Sequence, residues 1–137
     1  MGLTRSRPSH EILSGDSADV YFARAESILD KEGLDPLVTM EVFTRQDAVL
    51  CGIDEAKNLL GHVLALCDPA EVHVEALDDG DRIGPKEVVL RIRARYLQFG
   101  LYETALLGML AQSTGWATAA HECVEVASPA PVISSIM

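Results

Sequence analysis

The chain has 137 residues, of which 48% are hydrophobic and 23% are charged. This composition fits one globular domain with a sizeable core and argues against global disorder. Eleven Lys and Arg residues against twenty-one Asp and Glu residues give a formal net charge of −10. That charge argues against nucleic acids and anionic membranes as partners. The three cysteines lie far apart, with neither a disulfide framework nor metal-ligand spacing, which indicates a reducing, cytosolic compartment; they are Cys51, Cys67 and Cys123.

The N-terminal part of the sequence predicts an irregular arm over residues 1–13, followed by a helix. Asp16 or Ser17 is the expected N-cap, because a short polar side chain can accept from the free amides of a first turn. The helix is expected to run to about Glu32, just before Gly33. Its apolar residues share one face at helical spacing; they are Tyr21, Ala25, Ile28 and Leu29.

The middle of the chain predicts strands around one strongly amphipathic helix. Residues 37–43 and 86–95 alternate between apolar and polar side chains, which is typical of half-buried strands. Residues 48–51 are expected to form a short partner strand, and residues 71–77 another strand. Residues 53–66 carry apolar side chains at helical spacing. The link at residues 78–81, Asp-Asp-Gly-Asp, indicates a solvated hairpin tip more than a cation site, since it lacks the spacing of a calcium loop.

The C-terminal part predicts two helices, residues 101–111 and 115–126, separated near Ser113 and Thr114. Residues 104–120 carry no formal charge, but the run is too short and too polar for a membrane span, so we expect a buried helix pair. Val132 and Ile133 then begin another apolar strand shortly before the last residue. The pattern predicts an α+β domain that stops where a second domain would begin.

The residues alone predict no catalytic site and no metal site. The four histidines neither share a helix face nor pair with a cysteine at ligand spacing. Tyr21 and Phe22 are more often core residues than a ligand platform, although an aromatic ring can stack on a flat substrate. Glu103 at a helix start is a favourable partner for the helix dipole.

Six stretches in order nevertheless resemble one enzyme family over about residues 14–134. They are SGDSADVYF (14–22), VTMEVF (38–43), ALDDGD (76–81), PKEVV (85–89), YETALLG (102–108) and TGWATAA (114–120). Together they resemble the N-terminal domain of nicotinate phosphoribosyltransferase in its shorter prokaryotic form. The related quinolinate phosphoribosyltransferase shares the architecture but usually has Arg after the Glu of this Glu-Thr pair. Here Thr104 stands in that place, which favours nicotinate.

The resemblance implies a type II phosphoribosyltransferase, in which an N-terminal α/β sandwich domain packs on an α/β barrel. The enzyme would join nicotinate to phosphoribosyl pyrophosphate, a pentosyl transfer of NAD biosynthesis that yields nicotinate mononucleotide and pyrophosphate. It would use Mg²⁺ and often ATP coupling, whereas no cofactor is expected in this chain alone. A homo-oligomer or a separate barrel chain is the expected partner, because family dimers place one subunit's N-terminal domain near the other's active site.

The resemblance also assigns three site residues and a domain layout. Tyr21 would be a ring platform near the pyridine, and Glu103 and Thr104 would line the site at the domain or dimer surface. The layout is an arm at residues 1–13, the sandwich domain at 14–128, and a truncated first barrel strand at 129–137. Where the family continues with a Phe and a Gly-Ala-Arg-like run, this chain reads Ser-Ile-Met at 135–137.

Two functional hypotheses follow. In the first, the chain is the N-terminal part of a nicotinate phosphoribosyltransferase and is inactive alone, because a catalytic site needs groups on both the base and the diphosphate side. In the second, it is a self-associating or partner-binding module, because the uncharged run at residues 104–120 would normally be covered.

Overall fold

A three-stranded antiparallel sheet forms the centre of the fold in the computed structural model, which describes residues 7–133. Its strands are β1 (Leu37–Phe43), β5 (Val88–Arg95) and β3 (His73–Ala76), in the order β1-β5-β3. A two-stranded ribbon pairs β2 (Ala48–Val49) with β4 (Arg82–Ile83). The helices are α1 (His10–Leu13), α2 (Val20–Lys31), α3 (Ile53–Val63), α4 (Tyr96–Phe99) and α5 (Glu103–Ala127), with a 3-10 turn at Gly100–Tyr102. The predicted α+β class is confirmed.

Alternation in β5 sets the register of the sheet. Ile92 and its neighbours two residues away on either side are buried, and each lies opposite an apolar residue of β1. On the outer face, Arg91 donates to the carboxylates of Glu41 on β1 and Glu75 on β3, each at 2.8 Å. A slip of one residue would exchange the two faces. The core and the ion pairs therefore specify the same register.

One apolar core joins the inner face of the sheet to α3 and α5. The predicted core face of α3 is confirmed, since Ala56 and Leu59 are completely buried. The helix ends at Val63 rather than at residue 66, and Leu66 is fully exposed. From α5, Leu106 and Leu110 are buried in the same cluster. These contacts fix the first turns of α5 against the sheet.

The N-terminal region differs from the prediction in three ways. Residues 10–13, predicted as part of an irregular arm, form the single helical turn α1, capped by Ser9. Helix α2 begins after Asp19 rather than at Asp16 or Ser17, because the Asp19 carboxylate accepts from the backbone N–H of Tyr21. Its expected apolar face is mostly open: no residue of α2 is fully buried, and the side chains of Tyr21 and Ile28 are exposed.

Strand β2 pairs with β4 and not with β1, so the expected partnership of residues 37–43 and 48–51 is wrong. The strands β3 and β5 do pair antiparallel, as predicted, but β4 lies between them in the chain. A two-residue strand is too short to show alternation in the sequence. The pairing is instead fixed by contacts with the rest of the fold.

Helix α5 is continuous, so the predicted break near Ser113 and Thr114 is wrong. The polar residues that suggested a break face a neighbouring segment. Thr114 Oγ1 accepts from Cys51 N (3.2 Å) and donates to Cys51 O (3.1 Å), and Thr118 Oγ1 accepts from Val49 N (2.9 Å). The side chains therefore satisfy backbone groups of the segment next to β2 while the helix continues.

The end of the described chain has no regular secondary structure. Residues 131–133 are neither helix nor strand, and the rest of the predicted barrel strand, residues 134–137, lies outside the described residues. The truncated barrel strand therefore stays a prediction. Within residues 7–133, no helix combines the length and the apolar character needed to cross a bilayer.

Candidate functional site

The start of α2 meets the start of α5, and this junction contains the residues that the resemblance singled out. The backbone N–H of Asp19 donates to Thr104 Oγ1 at 3.2 Å. The carboxylate of Asp19 in turn accepts from the backbone N–H of Tyr21 at 3.0 Å. Thr104 and Tyr21 are thus connected through one residue, although they lie far apart in sequence.

Tyr21 presents an open aromatic surface at this junction. Its side chain is 66% exposed, and its ring lies edge-on to that of Phe22, with centroids 5.1 Å apart. Because Tyr21 is the second residue of α2, the cap at Asp19 sets the direction of its backbone. An exposed ring can stack on a flat heteroaromatic molecule.

Glu103 is the first residue of α5 and is only partly exposed. Burial raises the pKa of its carboxyl above the ordinary value. Within residues 7–133, no hydrogen-bond or ion-pair partner of this carboxylate is found. The side chain therefore remains available as a polar group at the helix start, where the dipole favours its negative charge.

Tyr96 is a fourth member of the junction, and the sequence did not single it out. Burial, followed by the charges of Glu103, Tyr21 and Glu26, raises the pKa of its hydroxyl. A Cβ on Gly100 would lie only 2.6 Å from the Tyr96 ring, so the ring is packed closely against this glycine. The four-residue spacing of Tyr96 and Gly100 around a helical turn is the only sequence signal for this contact.

The junction offers aromatic rings, hydroxyls and the carboxylates of Asp19 and Glu103, which suits contact with a planar polar molecule. It does not suit a metal ion: Mg²⁺ prefers several oxygen ligands in octahedral geometry. Nowhere in residues 7–133 do three or more His, Cys, Asp or Glu side chains come together in a way that could hold a metal. The described residues therefore do not fit a magnesium site.

Grooves also lie away from this junction, and two of them flank α5. An apolar groove of about 580 Å³ runs between α5 and the segment that joins β1 to β2, with Arg45 and Glu122 among its lining residues. A smaller groove beside β4 contains Arg82, which donates to Glu125 at 2.9 Å, and His121. Tyr21, Glu103 and Thr104 line neither groove. Of the predicted site residues, Tyr21 is exposed, whereas Glu103 and Thr104 are partly buried.

The family model described as "Quinolinate phosphoribosyl transferase, N-terminal domain" matches residues 19–114, well over half of the chain. The chain belongs to this family. The matched stretch begins at Asp19 and ends at Thr114, so it includes every residue of the junction described above.

Solved structures agree with this family. The chain is 37% identical to nicotinate-nucleotide pyrophosphorylase from Pyrococcus furiosus, with a TM-score of 0.71 over 88% of this chain and 31% of that one. The protein of the same name from Ehrlichia chaffeensis gives 22% identity, a TM-score of 0.64, and coverage of 90% and 44%. The protein of the same name from Francisella tularensis is 15% identical, with a TM-score of 0.62 over 93% of this chain and 45% of that one. The last two show the fold alone.

The chain spans between 31% and 45% of the length of these solved structures. Together with the family match, this coverage identifies the chain as the N-terminal domain of a type II phosphoribosyltransferase. Membership of the family does not distinguish nicotinate from quinolinate as the base.

Proposed function

We propose that this chain is the N-terminal part of an enzyme that joins nicotinate to phosphoribosyl pyrophosphate and releases pyrophosphate. The single observation that carries the choice of base is the neutral Thr104 beside Glu103. Quinolinate carries two carboxylates and nicotinate carries one. A guanidinium recognises a carboxylate through paired charge-assisted hydrogen bonds, and a threonine hydroxyl cannot replace it.

The electrostatics of the junction support a base with fewer negative charges. The Glu103 carboxylate is partly buried and has no ion-pair partner among the described residues. Thr104 Oγ1 already accepts from Asp19 N. A second carboxylate on the base would therefore meet a negative side chain instead of a cation, and like charges at close range are unfavourable. Nicotinate avoids that repulsion.

The proposed role is to form the half of the active site that holds the base, which we call the half-site. In it, Tyr21 stacks on the pyridine ring and Glu103 lines the edge of the site, with Thr104 beside it. The diphosphate, Mg²⁺ and any ATP coupling belong to the barrel of the same enzyme or of a partner subunit in the cytoplasm. We therefore propose that the 137-residue chain alone turns over no substrate, because preorganised groups are needed around both reactants.

A chimera tests this function. Residues 1–133 replace the corresponding domain of the Pyrococcus furiosus protein, and the product is assayed with phosphoribosyl pyrophosphate, Mg²⁺ and either base. We expect turnover with nicotinate and at least tenfold less with quinolinate. Thr104→Arg should shift the ratio of kcat/KM toward quinolinate about 10- to 100-fold, as expected for a charge-assisted hydrogen bond. Thr104→Ser is the control and should leave the ratio unchanged.

Two results would contradict the proposal. One is a wild-type chimera that prefers quinolinate, which would assign the other base. The other is turnover by the isolated 137-residue chain, which would show that a barrel is not needed. The unmodified Pyrococcus furiosus protein, assayed in parallel, shows that the assay detects the reaction.

A second candidate function is a self-associating or partner-binding module. The observation that favours it is the outer surface of α5, where the side chains of Trp116 and Val126 are 74% and 89% exposed. Exposed apolar side chains on a helix favour a partner where they form one contiguous patch. Sedimentation of the 137-residue chain from low to high micromolar concentration tests this function. A dimer that Trp116→Glu dissociates would support it, and a monomer throughout would rule out self-association.

A further inference from the structure

We infer that Thr104 is a positioning residue, which fixes the Tyr21 ring through Asp19 rather than contacting the substrate itself. This inference rests on the proposed function, because it concerns the same half-site. It changes the role that the resemblance gave to Thr104. The residue would still matter for substrate binding, but through the placement of another side chain.

The first argument is the use of the Thr104 hydroxyl. Its oxygen accepts from Asp19 N at 3.2 Å, so one of its two lone pairs is already engaged by the protein. Asp19 is the N-cap of α2 and accepts from Tyr21 N. The backbone of the cap residue is therefore held on one side by Thr104, and its side chain holds Tyr21 on the other side.

The second argument is that α2 packs on α4 and the 3-10 turn but contributes no residue to the buried core. No residue of this helix is fully buried, so core packing contributes less to its position than it does for α3. The segment before it is held by the turn that leads into α5. Tyr102 donates its hydroxyl proton to Leu13 O at 3.2 Å, and Leu101 packs against Gly15, where φ is +79°.

Three nearly consecutive residues therefore hold the N-terminal segment in place. Leu101, Tyr102 and Thr104 each contact it at a different point, and Thr104 is the contact nearest to α2. An arginine at position 104 would change two properties at once. It would add a cation to the half-site, and it would remove the acceptor of Asp19 N, because a guanidinium has no acceptor atom.

Amide hydrogen exchange in the 137-residue chain tests the inference without any need for activity. Thr104→Val keeps the shape but removes the acceptor, and it should speed exchange of the Asp19 and Tyr21 amides about three- to tenfold. Thr104→Ser restores the acceptor and should restore slow exchange. Thr118→Val removes an equivalent bond farther along α5 and should leave both amides unchanged. Unchanged exchange in Thr104→Val would overturn the inference.

The chimera then tests whether the position of the Tyr21 ring affects nicotinate binding. Thr104→Val should raise the KM for nicotinate severalfold and change kcat little, and Thr104→Ser should restore the KM. If exchange accelerates but the KM is unaffected, Thr104 holds α2 without serving the substrate, and the inference is wrong. A chimera that never uses nicotinate would instead reject the proposed function, and the exchange result would stand independently of it.

Discussion

The carboxylate of Asp79 accepts a hydrogen bond of 2.8 Å from the backbone N–H of Ile53, the first residue of α3. The residue that precedes this helix is Gly52, at φ +99°, which has no side chain to cap it. Asp79, from the turn between β3 and β4, caps the helix instead. The acidic turn, predicted as a solvated hairpin tip, thus stabilises the most buried helix of the fold.

Loss of this cap should destabilise the domain. We expect Asp79→Ala to lower the free energy of unfolding by about 1 kcal/mol, the usual cost of removing a helix cap. Asp78→Ala is the matched control: it removes only an exposed ion pair with Lys57 (3.5 Å) and should change stability little. Urea unfolding curves of the three proteins give the comparison. Equal losses in both variants would mean that Asp79 is not a cap.

Two glycines should respond to alanine in opposite directions. A Cβ on Gly100 would lie 2.6 Å from the Tyr96 ring, so Gly100→Ala should cost about 1–3 kcal/mol of stability, as overpacking does. Gly108 lies inside α5 with no atom within 4 Å of the added Cβ, so Gly108→Ala should stabilise by up to about 1 kcal/mol. Thermal unfolding of both variants and the wild type measures these changes in stability. A neutral Gly100→Ala would show that the Tyr96 ring is not held against this backbone.

The partly buried Glu103 should make the fold less stable as the pH rises. Burial raises the pKa of this carboxyl in the folded state, so the unfolded chain releases the proton more readily. This group therefore favours folding at low pH and loses that contribution as the pH rises through its folded pKa. Glu103→Gln should be more stable than the wild type at pH 7 and show less difference at pH 4. Greater stability of the wild type at pH 7 would contradict this assignment.

The ion pair of Glu71 with Arg95 should act in the opposite direction. The hydrogen bonds from Arg95, at 2.8 Å and 2.6 Å, lower the pKa of the Glu71 carboxyl below its ordinary value of 4.5. The stability that this pair contributes is present above pH 4.5 and is lost as the pH falls through the folded pKa. Urea unfolding at pH 7 and pH 3 should show a smaller acid loss for Glu71→Gln than for the wild type. An equal loss would assign acid sensitivity to other carboxyls.

Local patterns in the sequence predicted β5 and α3, whereas long-range contacts decided how the strands pair and how α5 continues. The alternation in β5 and the helical spacing around Ala56 are repeated signals, and both elements were predicted correctly. The break predicted in α5 was wrong, because Thr114 and Thr118 bond to backbone groups more than sixty residues away. No window of sequence contains both partners of such a bond.

The candidate site likewise depends on long-range contacts that local sequence patterns do not reveal. Nothing in the residues alone distinguished Tyr21 from a core aromatic residue, and only the family resemblance drew attention to it, to Glu103 and to Thr104. The hydrogen bond between Thr104 and Asp19 depends on how α2 lies against α5, and no periodicity predicts it. Tyr96 was missed because its significance comes from the absence of a side chain at Gly100.

The sparse burial of α2 has a thermodynamic consequence for ligand affinity. A helix with no fully buried residue can detach while the sheet, α3 and α5 stay folded, because local opening costs less than global unfolding. In the proposed half-site, only molecules with the helix attached would present the Tyr21 ring to the base. The apparent dissociation constant then equals the intrinsic one divided by the attached fraction. Mutations that only loosen the ends of this helix would weaken binding by that ratio, without removing any atom that contacts the ligand.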